Sequence, residues 1–95
     1  MREKEIEQKI IKAVRARGGI CPKWISPGFS GVPDRIVMFP DGRIGFIEVK
    51  APGEKPRPLQ ESRHRLLRRL GFRVYVIDRD WQIELVLDEI EGEEE

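Results

Sequence analysis

The spacing of apolar residues changes period several times along the chain, and each change marks an element. Near the N-terminus Ile6, Ile10, Ile11, Ala13 and Val14 recur at three- and four-residue intervals, which predicts a helix with one buried face. It stops at Arg17-Gly18-Gly19, where a glycine can take the left-handed cap conformation. ICPKWI, Ile20 to Ile25, is short and extended, and Pro22 restricts it to an edge strand or a bulge because proline has no N–H to donate. SPGFSGVP follows as a loop of restricted backbone freedom. Two apolar runs, RIVMF and IGFIEV, then flank the turn signal PDG and predict a β-hairpin.

APGEKPRP, residues 51–58, is a second connection rich in proline and glycine. LQESRHRLLRRLG predicts a helix with Leu59, Leu66, Leu67 and Leu70 on its apolar side, Arg63, Arg65, Arg68 and Arg69 largely elsewhere, and Gly71 as the stop. FRVYVID alternates as a strand. DWQIELVLDEIEGEEE fits two templates: Trp81, Ile83, Leu85 and Leu87 alternate like a strand, whereas Ile83, Leu87 and Ile90 make a helix face opened by Asp80 as N-cap. The helix is the preferred reading. The order α-β-β-β-α-β plus a C-terminal element predicts an α/β domain, a mixed β-sheet flanked by helices.

At 95 residues this is expected to be a single domain over 1–92 with an acidic tail at 93–95. A core of that size buries about 60–65% of the unfolded surface, so oligomerisation would help it. No apolar run approaches the ~20 residues that span a bilayer, and MREKEIEQ is charged rather than signal-like, so a soluble cytoplasmic protein with no membrane partner is expected. The lone Cys21 excludes an internal disulfide and suits a reducing compartment.

The net charge of +1 hides a strong asymmetry. Lys9, Lys12, Arg15, Arg17 and Lys23 occur without an intervening acid, and Lys55, Arg57, Arg63, Arg65, Arg68, Arg69 and Arg73 are interrupted by Glu61 alone. Asp88, Glu89, Glu91, Glu93, Glu94 and Glu95 gather at the C-terminus and read as a tail. Such basic faces are either simply solvated or the footprint of a phosphate backbone.

The hairpin holds charges that buried strands normally exclude: Asp34, Glu48 and Lys50. Parity decides where they point, because alternate residues share a face. A two-residue loop at Asp41-Gly42 would send Asp34 and Glu48 to opposite faces. A three-residue loop, Pro40-Asp41-Gly42, opposes Asp34 to Glu48, and a loop one residue later opposes Asp34 to Lys50. Either odd loop puts all three at one end of one face beside Ile36 and Phe46, leaving Val37, Ile47 and Val49 as core. Opposed carboxylates repel unless something positive lies between them. Lys50 is one such charge; Mg²⁺ is another, since its shell favours carboxylate oxygens and water. A cross-strand salt bridge is the plainer alternative.

Pro33-Asp34 followed by Glu48-Val49-Lys50 resembles the core of the PD-(D/E)xK nuclease superfamily. With EIEQKI, the following GG, Lys23, GVPDR, IEVK and the Gln60 of PLQESRH, the chain resembles the VRR-NUC branch, a restriction endonuclease-like fold, over nearly its whole length. The resemblance implies Asp34, Glu48, Lys50 and Gln60 as catalytic residues. It implies Glu7, Asp34, Glu48 and the carbonyl of Val49 as ligands of Mg²⁺, with Mn²⁺ as substitute. Glu3 and Glu5 compete with Glu7, which sits at the margin of the apolar helix face. Gln60 and His64 lie four apart on one helical face; His64 reads as a helix-surface side chain, solvated or on phosphate. Lys23, Arg35, Lys55, Arg57, Arg63 and His64 are the expected nucleic-acid contacts, and Trp24 and Phe29 are either DNA or core contacts.

The implied activity is a metal-dependent DNA endonuclease, structure-selective on branched DNA such as four-way junctions. It would work as a homodimer without a nucleotide cofactor, in a phage or bacterial setting. A non-cleaving nucleic-acid- or partner-binding module on the same fold, and an RNA-cleaving enzyme, are the alternatives.

Overall fold

The first helix, α1 (Glu3–Ala16), buries Ile6, Ile10 and Val14 along the stripe that the periodicity marks. It ends in a glycine turn: the Gly19 N–H donates to the Val14 carbonyl, and Gly18 takes φ +83°. A Cβ on Gly19 would lie 2.6 Å from the Met38 carbonyl oxygen, so only glycine lets the chain turn this tightly onto the sheet.

The computed structural model describes residues 1–92; the predicted acidic tail, 93–95, lies outside the described residues. Strands β1 (Arg35–Phe39) and β2 (Arg43–Val49) pair antiparallel around a 3-10 turn at Pro40–Gly42. β3 (Val74–Ile77) lies parallel to β2 on its other side, which makes β2 central in a mixed sheet. The crossover between β2 and β3 contains α2 (Pro58–Arg69), and α3 (Gln82–Glu91) closes the chain.

Being central, β2 is covered on both faces, which is why its last five residues are all buried. Ile47 and Val49 join the core built with α1 and α3; Phe46 faces the other way, against Trp24, Val74 and Leu67. Gly45 lets α3 approach, since a Cβ there would meet Ile90 at 2.7 Å.

Four local expectations need correction. Residues 20–25 form no strand, only isolated bridges of Ile20 to Met38 and of Lys23 to Arg35. The Ile36 N–H donates to the Pro22 carbonyl, but Pro22 has no N–H to return, so the ladder breaks there. Asp80 is not the cap of α3. Trp81 is, without a side-chain cap bond; Asp80 instead accepts from Lys9 Nζ at 3.0 Å. Gln82 Oε1 accepts from the N–H groups of Asp78 and Arg79 instead. Asp88 and Glu91 belong to α3 and, with Glu84, grip Arg17 at the end of α1. Finally, the buried face of α2 is Gln60, His64 and Leu67 rather than the leucine row: Leu59 is 46% exposed and Leu70 64%. The strand face beneath α2 carries Glu48, and a buried carboxylate draws polar partners.

Candidate active site

The register Arg35↔Ile47, continued by one residue, sets Asp34 across from Glu48, as a three-residue loop requires. Asp34 stands just beyond β1, after the buried Pro33, and its Oδ2 accepts the Val49 N–H at 2.7 Å. Burial is the main influence on its carboxyl, pushing it up to about 6. The Val49 N–H pulls the other way; Glu48 and Glu3 raise it further, and Lys50 opposes them.

Glu48 is only 1% exposed. Its Oε2 accepts from Gln60 Nε2 at 2.9 Å and lies 3.5 Å from Lys50 Nζ. Gln60 is itself oriented, because its Oε1 accepts the Arg57 N–H at 2.8 Å at the start of α2. Glu48 Oε1 faces His64 Nε2 across 3.5 Å, and neither atom has a hydrogen-bond partner. Asp34, Glu48, Lys50, Gln60 and His64 therefore converge where β2 ends beneath α2. A cavity of about 310 Å³, lined by Pro56, Glu61, His64, Arg65, Arg68 and Val76, adjoins them.

The other expected residues are placed differently. Glu7 accepts from Arg35 Nε at 2.9 Å, and Arg35 Nη1 donates to the Cys21 carbonyl at 2.8 Å. That pair is largely buried, and each of its side chains engages the other. On α1 it is Glu3 whose charge is felt at Asp34. Arg63 donates to the Ser30 carbonyl at 2.7 Å, and its guanidinium lies 4.1 Å from the centre of the Phe29 ring, fastening the loop before Asp34 to α2. His64 is 2% exposed, not a surface residue, because the same face that buries Gln60 buries it one turn later. Lys23, Lys55 and Arg57 are exposed. Trp24 packs on Phe46 with ring centres 5.0 Å apart, a core contact.

Among the described residues no three His, Cys, Asp or Glu side chains come together as a ready-made metal cage. A hard divalent ion asks for less: one or two carboxylates, with carbonyl or water oxygens completing its shell. Asp34 and Glu48 fit such an ion, one crowded by like charge and the other with a buried oxygen lacking any partner.

A model of the VRR-NUC domain matches residues 2–81, a span that includes Asp34, Glu48, Lys50 and Gln60. The chain belongs to the VRR-NUC family. A protein of Acyrthosiphon pisum secondary endosymbiont phage 1, named "Putative nuclease p44", is 51% identical over 78 residues, covering 82% of this chain and 84% of that protein. A solved structure described as a VRR_NUC domain superposes with a TM-score of 0.84 at 31% identity, covering 90% of this chain and 94% of the other. VRR-NUC membership and the matching fold support a nuclease function and, with it, DNA binding. All of α3 lies past the matched span, although it supplies Ile83, Leu87 and Ile90 to the core. No helix among the described residues is long and apolar enough to cross a membrane.

Proposed function

We propose that this VRR-NUC protein is a divalent-metal-dependent DNA endonuclease, acting on branched DNA as a homodimer in a phage or bacterial cytoplasm. The observation carrying this reading is the convergence of two carboxylates and an ammonium on the end of β2, with Glu48 Oε1 buried and unpartnered. Asp34, Glu48 and the Val49 carbonyl would hold Mg²⁺, or Mn²⁺ in its place, with an α1 carboxylate acting at longer range. When bound, the ion supplies positive charge that acidifies water and offsets charge on a phosphate oxygen.

The chain's own residues do the rest. Lys50 keeps an ammonium beside Glu48, where it stabilises negative charge developing on a phosphodiester. Gln60, tied to the Arg57 backbone, holds Glu48 Oε2. Arg63 fixes the loop that delivers Asp34. Lys23, Lys55 and Arg57 are exposed and contribute sequence-independent phosphate contacts. Leu59, Leu70 and Phe72 are exposed apolar side chains on and just after α2, which a second copy of so small a domain would usefully cover.

Asp34→Asn, Glu48→Gln and Lys50→Met, assayed on a four-way junction and on linear duplex with Mg²⁺ or Mn²⁺, are each expected to lower cleavage on the order of 10²–10³-fold while junction binding persists. Wild-type cleavage by all three variants would remove the mechanism. Junction binding without products under either metal would favour the non-cleaving module, and cleavage of RNA alone would reassign the substrate.

A further inference from the structure

Glu48 is approached from α2 by two side chains, one turn apart. Gln60 and His64 stand four residues apart and both face the sheet. Gln60 Nε2 takes one oxygen of the carboxylate, Oε2; His64 Nε2 faces the other, Oε1. A carboxylate held at one oxygen turns about its Cγ–Cδ bond, whereas one met at both has its plane set. That plane decides which lone pairs a cation meets. A carboxylate oxygen has room for a hydrogen bond and a cation together, so a donor on Oε1 need not displace an ion.

The His64 contact is slack. At 3.5 Å it is about 0.3 Å longer than the usual upper limit for N–H···O, and both atoms are enclosed without another partner. Packing alone gives no reason to keep an imidazole in this buried position, since a leucine would fill comparable space without an unmet donor. Such a pair closes with a small shift of Glu48 or α2. Side chains that orient a metal ligand in this way set the affinity for the metal.

We propose that His64 is a positioning residue for Glu48, donating from Nε2 to Oε1 and thereby tightening the binding of a divalent ion. This rests on the reading of Glu48 as a metal ligand.

The test uses the full chain and Mn²⁺ alone, without DNA, with binding followed by electron paramagnetic resonance and calorimetry on wild type, Glu48→Gln, His64→Leu, His64→Gln and His64→Asn. His64→Leu is expected to weaken Mn²⁺ binding by about 10–100-fold while its melting temperature without metal stays at or above that of wild type. His64→Gln, whose amide Nε2 reaches a similar position, should restore affinity to within about threefold, whereas the shorter His64→Asn should not. If the leucine variant fails to fold, the contrast between glutamine and asparagine carries the result. Wild-type Mn²⁺ affinity in His64→Leu, or equal affinity in the glutamine and asparagine variants, would overturn the proposal while leaving Glu48 as a ligand. A strong ¹⁴N coupling from a directly bound imidazole would also overturn it, by making His64 a ligand. If Glu48→Gln binds Mn²⁺ as wild type does, the reading of the site itself fails and the proposal falls with it.

Discussion

Asp34 binds its proton more tightly in the fold than a free aspartate does: burial, reinforced by Glu48 and Glu3, moves it from 3.8 to about 6. The native state therefore holds more protons than the unfolded chain between these values, and the stability this residue contributes falls as pH rises. The contribution is fully present below about 4 and is lost as pH passes about 6. A divalent ion reverses the preference because it selects the ionised form. The rise in melting temperature caused by Mn²⁺ is thus expected to be larger at about pH 7.5 than at about pH 5, and Asp34→Asn should flatten that difference. Equal Mn²⁺-induced shifts at both pH values would show that Asp34 is not coupled to the ion. At this scale parity was legible: alternation is local, so an odd loop places Asp34, Glu48, Ile36 and Phe46 on one side of the ribbon. The commitment of Glu7 to Arg35 was not legible, because it joins residues 28 positions apart in the chain.

Among the elements, α1 and α3 are tied by Arg17, whose guanidinium meets Glu84, Asp88 at 2.9 Å and Glu91 at 2.8 Å. Burial works against the charge on Arg17, but its hydrogen bonds to these acids outweigh that cost, so it holds its proton more tightly than a free arginine does. Arg17→Met would leave three carboxylates facing one another. Glu84 and Asp88 stand largely in water, which screens that repulsion, so the expected loss is about 1–2 kcal/mol, or roughly 5–15 °C in melting temperature. Thermal melts at low and high salt check it; an unchanged melting temperature would mean that the apolar contacts of α3 hold it alone. The sequence made α3 ambiguous because Ile83 and Leu87 satisfy both periods, and a helix results because Ile83, Leu87 and Ile90 have a core to enter. The buried face of α2 departs from its most apolar stripe for a related reason. Its leucines make the more apolar stripe, but Glu48 on the strand beneath selects Gln60 and His64.

For the whole molecule, net charge says little and its arrangement says more. Acids of α3 are spent on Arg17 and on the Tyr75 hydroxyl, whereas Lys23, Lys55 and Arg57 remain exposed. Junction binding should therefore weaken steeply with salt, with log Kd rising by about 0.9 for each phosphate neutralised per unit of log salt. Lys23→Ala and Lys55→Ala should each lower that slope by about one, leaving the melting temperature unchanged. Fluorescence anisotropy across a salt series measures this, and a slope near zero would exclude a phosphate footprint.

By itself, the sequence determined the three helices, the hairpin about Pro40-Asp41-Gly42 and, once that loop is odd, the face shared by the charged residues. All of these follow from periodicity and backbone chemistry within a few residues. Tertiary structure alone decided which charges neutralise one another and which helix face is buried. It also brought His64 against Glu48, because these outcomes depend on what each side chain meets across the fold, and a burial penalty exists only once there is an interior.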